Sequence, residues 1–152
     1  MDTQKAIKAL NKLIEINNDR ITGYEKASKE TNELDLKALF NQMANTSTEC
    51  RAALVKEVLL LGGEPTEATT TSGKFFRAWM DVKAAISGND RGAILDSCEY
   101  GDDNAKETYE DVLEDDLQYL SADQHTMIRD QYDLLTRDHD HIRSLRDEEI
   151  TR

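Results

Sequence analysis

The residues most able to do chemistry lie in a run of acids and histidines near the end of the sequence, Arg137-Asp138-His139-Asp140-His141. Asp138 and His141 are three residues apart, so on a helix they share one face, a single turn apart. Helical bundles that hold two metal ions use this spacing, with Glu-x-x-His on one helix and a Glu on its neighbour. Here Asp replaces Glu, and Glu99 and Asp102 lie at a similar depth on the preceding predicted helix. The sequence therefore allows one half of a carboxylate and histidine metal site.

The other half of such a site is weaker. Glu15 and Glu49 lie level with each other about the predicted turn between the first two helices, but both are at the edge of their apolar faces. The residue three after Glu49 is Ala52, so a second Glu-x-x-His is missing. Asn17 and Ser47 occupy the apolar faces at that depth, and amides and hydroxyls are weak ligands for iron or zinc.

Two interpretations of these polar residues stay open. In the first, the carboxylates and His141 bind Fe, Mn or Zn. In the second, Asp102 and Asp138 accept hydrogen bonds from Tyr or Asn side chains inside the bundle, while His139 and His141 face solvent. In a chain with 31 acidic residues, some carboxylates fall on an apolar face by chance, which favours the second interpretation.

Apolar residues recur at a spacing of three and four along four long segments, and none of these segments alternates with a period of two. This pattern predicts amphipathic helices and an all-α fold without strands. Ser121-x-x-Gln124 is a capping box that predicts the start of the last helix. The predicted long helices lie near residues 3–30, 35–61, 91–114 and 122–148, with a short helix near 74–86.

The connections predict how these helices are joined. Residues 31–34 and about 115–120 are short connections, so the first two long helices form a hairpin and so do the last two. The middle connection runs from Gly62 to about Gly92, holds a loop rich in Thr and Gly, and is long enough to cross the whole bundle. One long crossover between two hairpins is the ferritin-like connectivity. The sequence thus predicts one ferritin-like four-helix bundle over residues 1–152, with a short fifth helix in the crossover.

That short helix has an apolar face formed by Phe75, Phe76, Trp79 and Val82. Aromatic side chains bury large apolar areas when they pack against a neighbouring element. We therefore expect Trp79 to be buried against the bundle rather than to line an aromatic ligand site.

The chain is acidic, with 31 acidic and 19 basic residues and a net charge of −12. This charge repels nucleic acid and anionic membranes, and the sequence lacks the roughly 20-residue apolar stretch of a membrane span. Residues 1–20 contain no apolar signal-peptide segment, so a cytoplasmic location is expected. Cys50 and Cys98 lie inside helical patterns without a CxxC motif, which indicates buried free thiols in a reducing cytosol.

A family resemblance rests on three parts of the sequence: LIEINNDR at 13–20 with GYEKA at 23–27, Gly73 with RAWMDVK at 77–83, and EYGD at 99–102. Together they resemble an uncharacterised bacterial family of ferritin-like bundles that is catalogued as a domain of unknown function. The resemblance covers nearly the whole chain. It implies a ferritin-like fold and a bacterial cytosolic setting, and it implies no activity. The second helix lacks the Glu-x-x-His of true di-iron ferritins, which argues against ferroxidase activity.

The sequence contains no phosphate-binding loop, no GxSxG motif and no cysteine with a histidine at catalytic spacing. The leading hypothesis is a non-enzymatic helical protein without a cofactor, whose buried polar residues are structural and which acts through an unknown protein partner or as a homo-oligomer. The alternative is a ferritin-like protein with a degenerate metal site for Fe, Mn or Zn in the bundle core. The candidate ligands are Glu99, Asp102, Asp138 and His141, with Glu15 and Glu49 as weaker candidates.

Overall fold

The computed structural model describes residues 2–69 and 73–151, and the side chains of residues 73–79, 150 and 151 lie outside that description. Five α-helices and one 3-10 turn make up the described part, which contains no strand: α1 Thr3–Glu30, α2 Leu34–Leu60, α3 Gly73–Ser87, α4 Arg91–Asp115, the turn Leu117–Tyr119, and α5 Ala122–Thr151. These bounds confirm the predicted all-α fold, and each helix begins and ends within a few residues of its predicted position. The expected burial of Trp79 concerns a side chain outside the described residues.

Side-chain caps explain where several helices begin. Asp2 accepts a hydrogen bond from the backbone of Lys5 at the start of α1, and Asp90 accepts one from the backbone of Ala93 at the start of α4. The predicted capping box is confirmed, because the Ser121 hydroxyl accepts from the Gln124 backbone and the Gln124 amide accepts from the Ser121 backbone. These caps satisfy donors that a helix leaves unpaired in its first turn.

The two predicted hairpins are present, because α1 packs chiefly against α2 and α5 packs chiefly against α4. Arg91 joins the hairpins at one end of the bundle. Its guanidinium lies 2.6 Å from a carboxylate oxygen of Asp35 and 3.3 Å from one of Glu33, both at the start of α2. Since Arg91 opens α4, helices α2 and α4 begin at the same end and run parallel.

Parallel α2 and α4 require the chain between them to return along the bundle, and the loop does so beside α1. The Asn11 amide donates to the Glu64 carbonyl at 3.1 Å, and the Asn18 amide donates to the Ala68 carbonyl at 2.9 Å. Helix α3 then packs on α4 and, with fewer contacts, on α1, where Val82 and Ala85 are buried. The predicted long crossover with a short fifth helix is therefore confirmed.

A layer of buried polar side chains divides the core into two apolar clusters. One cluster lies toward the start of α1 and contains Leu10, Leu13, Ile14, Leu54, Val58, Tyr109, Val112, Ile128 and Leu135 among others. The other lies toward the start of α4 and contains Tyr24, Leu36, Phe40, Met43, Val82, Leu95, Cys98 and Ile142 among others. The polar layer between them contains Asn17, Arg20, Ser47, Asp102, Gln131 and Asp138.

Candidate functional site

An arginine lies at the centre of the polar layer. The Arg20 side chain is 0% exposed, and its Nη2 lies 3.5 Å from Asp102 Oδ1 and 3.3 Å from Asp138 Oδ2. Helices α1, α4 and α5 each supply one member of this group, which we call the central triad. A buried charge is tolerated only when an opposite charge or hydrogen bonds compensate for its lost hydration. Arg20 therefore supplies the positive charge that two buried carboxylates need.

Tyr24 stabilises the central triad from one side. Its hydroxyl donates a 2.7 Å hydrogen bond to Asp102 Oδ1, and the Arg20 guanidinium carbon lies 5.4 Å from the centre of its ring. A guanidinium over the face of an aromatic ring is attracted by the ring's negative face. The predicted hydrogen bond from a tyrosine to a buried aspartate is thus confirmed for Asp102.

The central triad holds two carboxylic acids, and the pKa of each lies above its ordinary value chiefly because the group is buried. Burial raises the pKa of Asp102 above its ordinary value, although the Arg20 guanidinium opposes that rise. Burial also raises the pKa of Asp138, to about 6, with Arg20 lowering it and the Asp102 charge raising it further. Desolvation disfavours the charged form of a carboxyl group, so one acid of the pair takes up a proton more readily than a surface acid does.

A chain of hydrogen bonds next to the triad connects all four long helices. The Asn17 amide donates to the Tyr109 hydroxyl at 2.8 Å, and that hydroxyl donates to Gln131 Oε1 at 2.8 Å. The Gln131 amide in turn donates to the Cys50 carbonyl at 3.2 Å. The members come from α1, α4, α5 and α2 in that order. These hydrogen bonds therefore fix the position of each helix along the bundle axis relative to the others.

A second group of ionisable side chains lies between α4 and α5, closer to the bundle surface. Glu99 and Asp103 are four residues apart on one face of α4, and His139 faces them from α5. His139 Nε2 lies 2.6 Å from Asp103 Oδ1 and 3.7 Å from Glu99 Oε1. One ligand atom from each residue lies within 4.8 Å of the other two. We call Glu99, Asp103 and His139 the edge cluster.

His139 and Glu99 are buried in this cluster, while Asp103 is exposed. Neither ring nitrogen of His139 makes a hydrogen bond with any residue that the structure describes, although the Asp103 carboxylate lies close enough to Nε2 to pair with a protonated ring. Glu99 also pairs with the guanidinium of Arg146, which lies about two turns after His139 on α5. The cluster thus combines a buried imidazole with two carboxylates, one of them open to solvent.

The structure separates the predicted metal ligands into different places. Asp102 and Asp138 come together, but around Arg20, and Glu99 belongs to the edge cluster. His141 is exposed on α5. The two weaker candidates do not join either group, since Glu15 is half-buried on α1 and Glu49 is exposed on α2.

Three of the residues that form these groups were not predicted. Arg20 follows Asn17 by three residues and precedes Tyr24 by four, a spacing that places it on the buried face. Asp103 directly follows the candidate ligand Asp102. His139 was expected to face solvent with His141, and that expectation was wrong, because His139 is 6% exposed.

Comparison with known proteins identifies a family. A protein-family model described as a domain of unknown function, DUF2383, matches residues 5–115, from α1 to the end of α4. A search of curated proteins finds no match to the chain. In the part of the chain that the structure describes, no helix is both long enough and apolar enough to cross a membrane.

Proposed function

Since the chain belongs to the DUF2383 family, whose description gives no function, we propose from the site itself that it is a non-enzymatic, ferritin-like binding protein without a metal in its core. The observation that carries this proposal is the position of Arg20. Its guanidinium lies between Asp102 and Asp138, the two carboxylates on which a metal in the core would depend. Arginine keeps its charge at any physiological pH, so a metal ion at this position would have to displace a buried cation.

The path of the chain supports the ferritin-like part of the proposal. Two antiparallel hairpins are joined by one long crossover, and α2 runs parallel to α4. In ferritin-like metal proteins, acidic side chains from all four helices converge at mid-bundle. At that level α1 and α2 place Arg20 and Ser47 in the polar layer, whereas the α4–α5 hairpin places the carboxylates of Asp102 and Asp138 there. These features favour a ferritin-like framework in which α1 and α2 supply an arginine and a serine where a metal site in the core would need acidic side chains.

The distribution of charge indicates the kind of partner. Residues 91–152 contain 18 acidic and 7 basic residues, whereas residues 1–90 contain 13 acidic and 12 basic ones. Nearly all of the net charge of −12 therefore belongs to α4, α5 and their connection. Like charges oppose contact between two copies of this hairpin, while a basic surface is attracted to it. A protein partner with a basic surface is thus favoured over a homo-oligomer.

A cytosolic location is part of the same proposal. Cys50 and Cys98 are both free and buried in the bundle core. Free thiols persist where the compartment is reducing. Burial raises the pKa of the Cys50 thiol to about 11, so this thiol is a packing group rather than a nucleophile.

The core part of the proposal is tested by melting curves with and without excess Fe(II), Mn(II) or Zn(II). Wild type is compared with Asp138→Asn and with Asp133→Asn, an exposed acid on the same helix. A ligand that binds only the folded state raises the melting temperature, and the stabilisation grows with the logarithm of the ligand concentration divided by Kd. We expect any metal-dependent rise to be the same in all three proteins. A rise of several degrees that disappears only in Asp138→Asn would overturn the proposal in favour of a core metal site.

The partner part is tested by sedimentation velocity of the purified chain at low and at physiological salt. We expect a monomer in both conditions, because a charge of −12 on each copy opposes self-association. A concentration-dependent dimer that persists at low salt would contradict this choice and would favour the homo-oligomer instead.

A further inference from the structure

We propose that the edge cluster of Glu99, Asp103 and His139 binds one divalent transition-metal ion. The site lies between α4 and α5 near the surface and uses none of the central triad. It is therefore independent of the proposed function, which concerns the core of the bundle and the protein partner.

The spacing of the three ligand atoms supports a shared ion. Two atoms bound to one tetrahedral ion at about 2.1 Å each lie roughly 3.4 Å apart. The His139 Nε2 to Glu99 Oε1 distance of 3.7 Å is close to that value, whereas the 2.6 Å distance to Asp103 Oδ1 is shorter. Asp103 is the exposed member, with 59% of its side chain accessible, so its carboxylate is free to turn outward and open the gap.

The state of His139 points to a ligand independently of this spacing. Its ring is buried, yet neither Nδ1 nor Nε2 makes a hydrogen bond with the described residues. A buried polar atom without a partner is costly, and native proteins rarely leave one in place. Metal coordination through Nε2 would satisfy that atom. Asp140 Oδ1 lies 3.6 Å from Nδ1, too far for a hydrogen bond, so its carboxylate would have to move closer to orient the imidazole as outer carboxylates do at metal-bound histidines.

The ligand set selects the class of ion. One imidazole with two carboxylates suits Zn²⁺, Fe²⁺, Mn²⁺ or Co²⁺, because Ca²⁺ and Mg²⁺ prefer oxygen alone and Cu⁺ prefers sulfur. Three protein ligands leave a fourth position for water. The surrounding α4–α5 hairpin holds nearly all of the chain's net negative charge, and this raises the local concentration of cations.

The test is calorimetric titration of chelator-treated protein with ZnCl₂, with Co²⁺ absorption as a second readout of coordination. We expect one ion per wild-type chain. We expect His139→Gln and Asp103→Asn each to weaken binding by at least about tenfold, since each removes one of three ligands. The matched controls are His141→Gln, an exposed histidine two residues further along α5, and Asp111→Asn, an exposed aspartate two turns further along α4. Both controls should bind Zn²⁺ like wild type.

Three results would overturn the proposal. Wild type could show no saturable binding of a single ion, the controls could lose as much affinity as the cluster variants, or both cluster variants could bind like wild type. Circular dichroism checks the fold of each variant. Asp103 is exposed, so Asp103→Asn keeps the test decisive if His139→Gln does not fold. A Zn²⁺ response that depends on Asp138 rather than on Asp103 would contradict the proposed function instead, so the two failures are distinguishable.

Discussion

Two groups of ionisable side chains lie side by side in this bundle, and neighbouring residues of the chain divide between them. On α4, Asp102 belongs to the central triad and Asp103 to the edge cluster. On α5, Asp138 belongs to the triad and the next residue, His139, to the cluster. A rotation of about 100° per residue around a helix sends successive side chains in different directions. In each of these two pairs of neighbouring residues, one side chain therefore belongs to the central triad and the other to the edge cluster.

The two environments differ in how their charge is balanced. In the central triad, the chain itself supplies the cation, because Arg20 from α1 is completely buried between the two acids. In the edge cluster, the buried imidazole has no hydrogen bond among the described residues, and one carboxylate is open to solvent. We therefore expect an external ion at the edge cluster, where the partly exposed Arg146 pairs with Glu99, and none at the triad, where Arg20 is completely buried between the acids.

The largest effect should come from removing the internal cation. Arg20→Met leaves Asp102 and Asp138 buried without a positive charge, and breaking a buried ion pair in this way costs about 3–5 kcal/mol of unfolding free energy. Urea denaturation at neutral pH measures the loss. The triple variant that also carries Asp102→Asn and Asp138→Asn should recover much of it, because no uncompensated charge is then left in the core.

Arg51→Met is the matched control for this series. Arg51 is half-buried on α2 and bonds to Asn18 rather than to a buried acid, so its replacement should change stability little. A loss below about 1 kcal/mol in Arg20→Met, which is what an exposed ion pair is worth, would show that the triad is not a buried ion pair in solution.

The next effect concerns the hydrogen-bonded chain beside the triad. Tyr109→Phe removes the hydroxyl that bonds both Asn17 and Gln131, so the buried Gln131 Oε1 loses this donor and Asn17 keeps only its bond to the Leu13 carbonyl. An unsatisfied buried polar group costs about 1–3 kcal/mol, so we expect a loss in this range in a urea titration. Tyr132→Phe is the control, because its hydroxyl bonds to Glu110 at the exposed surface. Equal losses of unfolding free energy in the two variants would contradict a structural role for this series of buried hydrogen bonds.

The fold and part of this comparison were predictable from sequence. The spacing of apolar residues gave the helices, and two short connections with one long one gave the hairpins and the crossover. The same spacing placed Asp102 and Asp138 on buried faces and allowed a tyrosine to bond one of them. These successes share a cause, because each depends on the period of a single helix or on the length of a single connection.

The residues that were missed depend on contacts between helices. Arg20 has the spacing of a buried residue, three after Asn17 and four before Tyr24, but an arginine is assigned to the surface unless a partner is known. Its partners lie 82 and 118 residues away on α4 and α5. His139 lies beside the buried face of α5 rather than on it, and only the packing of α4 against α5 buries its ring.

A smaller effect is expected when the pH is varied. The folded-state pKa of Asp138, about 6, lies above its ordinary value of 3.8, so the folded protein holds this proton more tightly than the unfolded chain does. The resulting stability is fully present below about pH 4 and is lost as the pH rises through 6. Arg20 and Asp102 face this carboxyl from α1 and α4, and Arg137 and His141 act on it from α5. Asp138→Asn does not titrate, so its stability relative to wild type should rise by about 1–2 kcal/mol between pH 4 and pH 8.

Chelator-treated protein should be used for this measurement, with Asp133→Asn as the control. Asp133 is exposed on the same helix, so the difference between this variant and wild type should stay nearly constant over the same pH range. A difference for Asp138→Asn that is equally flat would mean that Arg20 balances the Asp138 charge fully and that the triad does not hold a proton.

The smallest effect is expected at the edge cluster. It tests whether the guanidinium of Arg146 competes with a bound metal ion for Glu99. Arg146 bonds to Glu99 through its guanidinium, which occupies one carboxylate oxygen and adds a positive charge near the proposed ion. Arg146→Gln should therefore strengthen Zn²⁺ binding, by up to about fivefold, as expected for the loss of one partly exposed charge pair. Arg143→Gln, an exposed arginine three residues earlier on α5, should leave the affinity unchanged. If Arg146→Gln weakens binding instead, Arg146 holds Glu99 in position for the ion. The central triad and the edge cluster would then not differ in whether an internal cation opposes an external one.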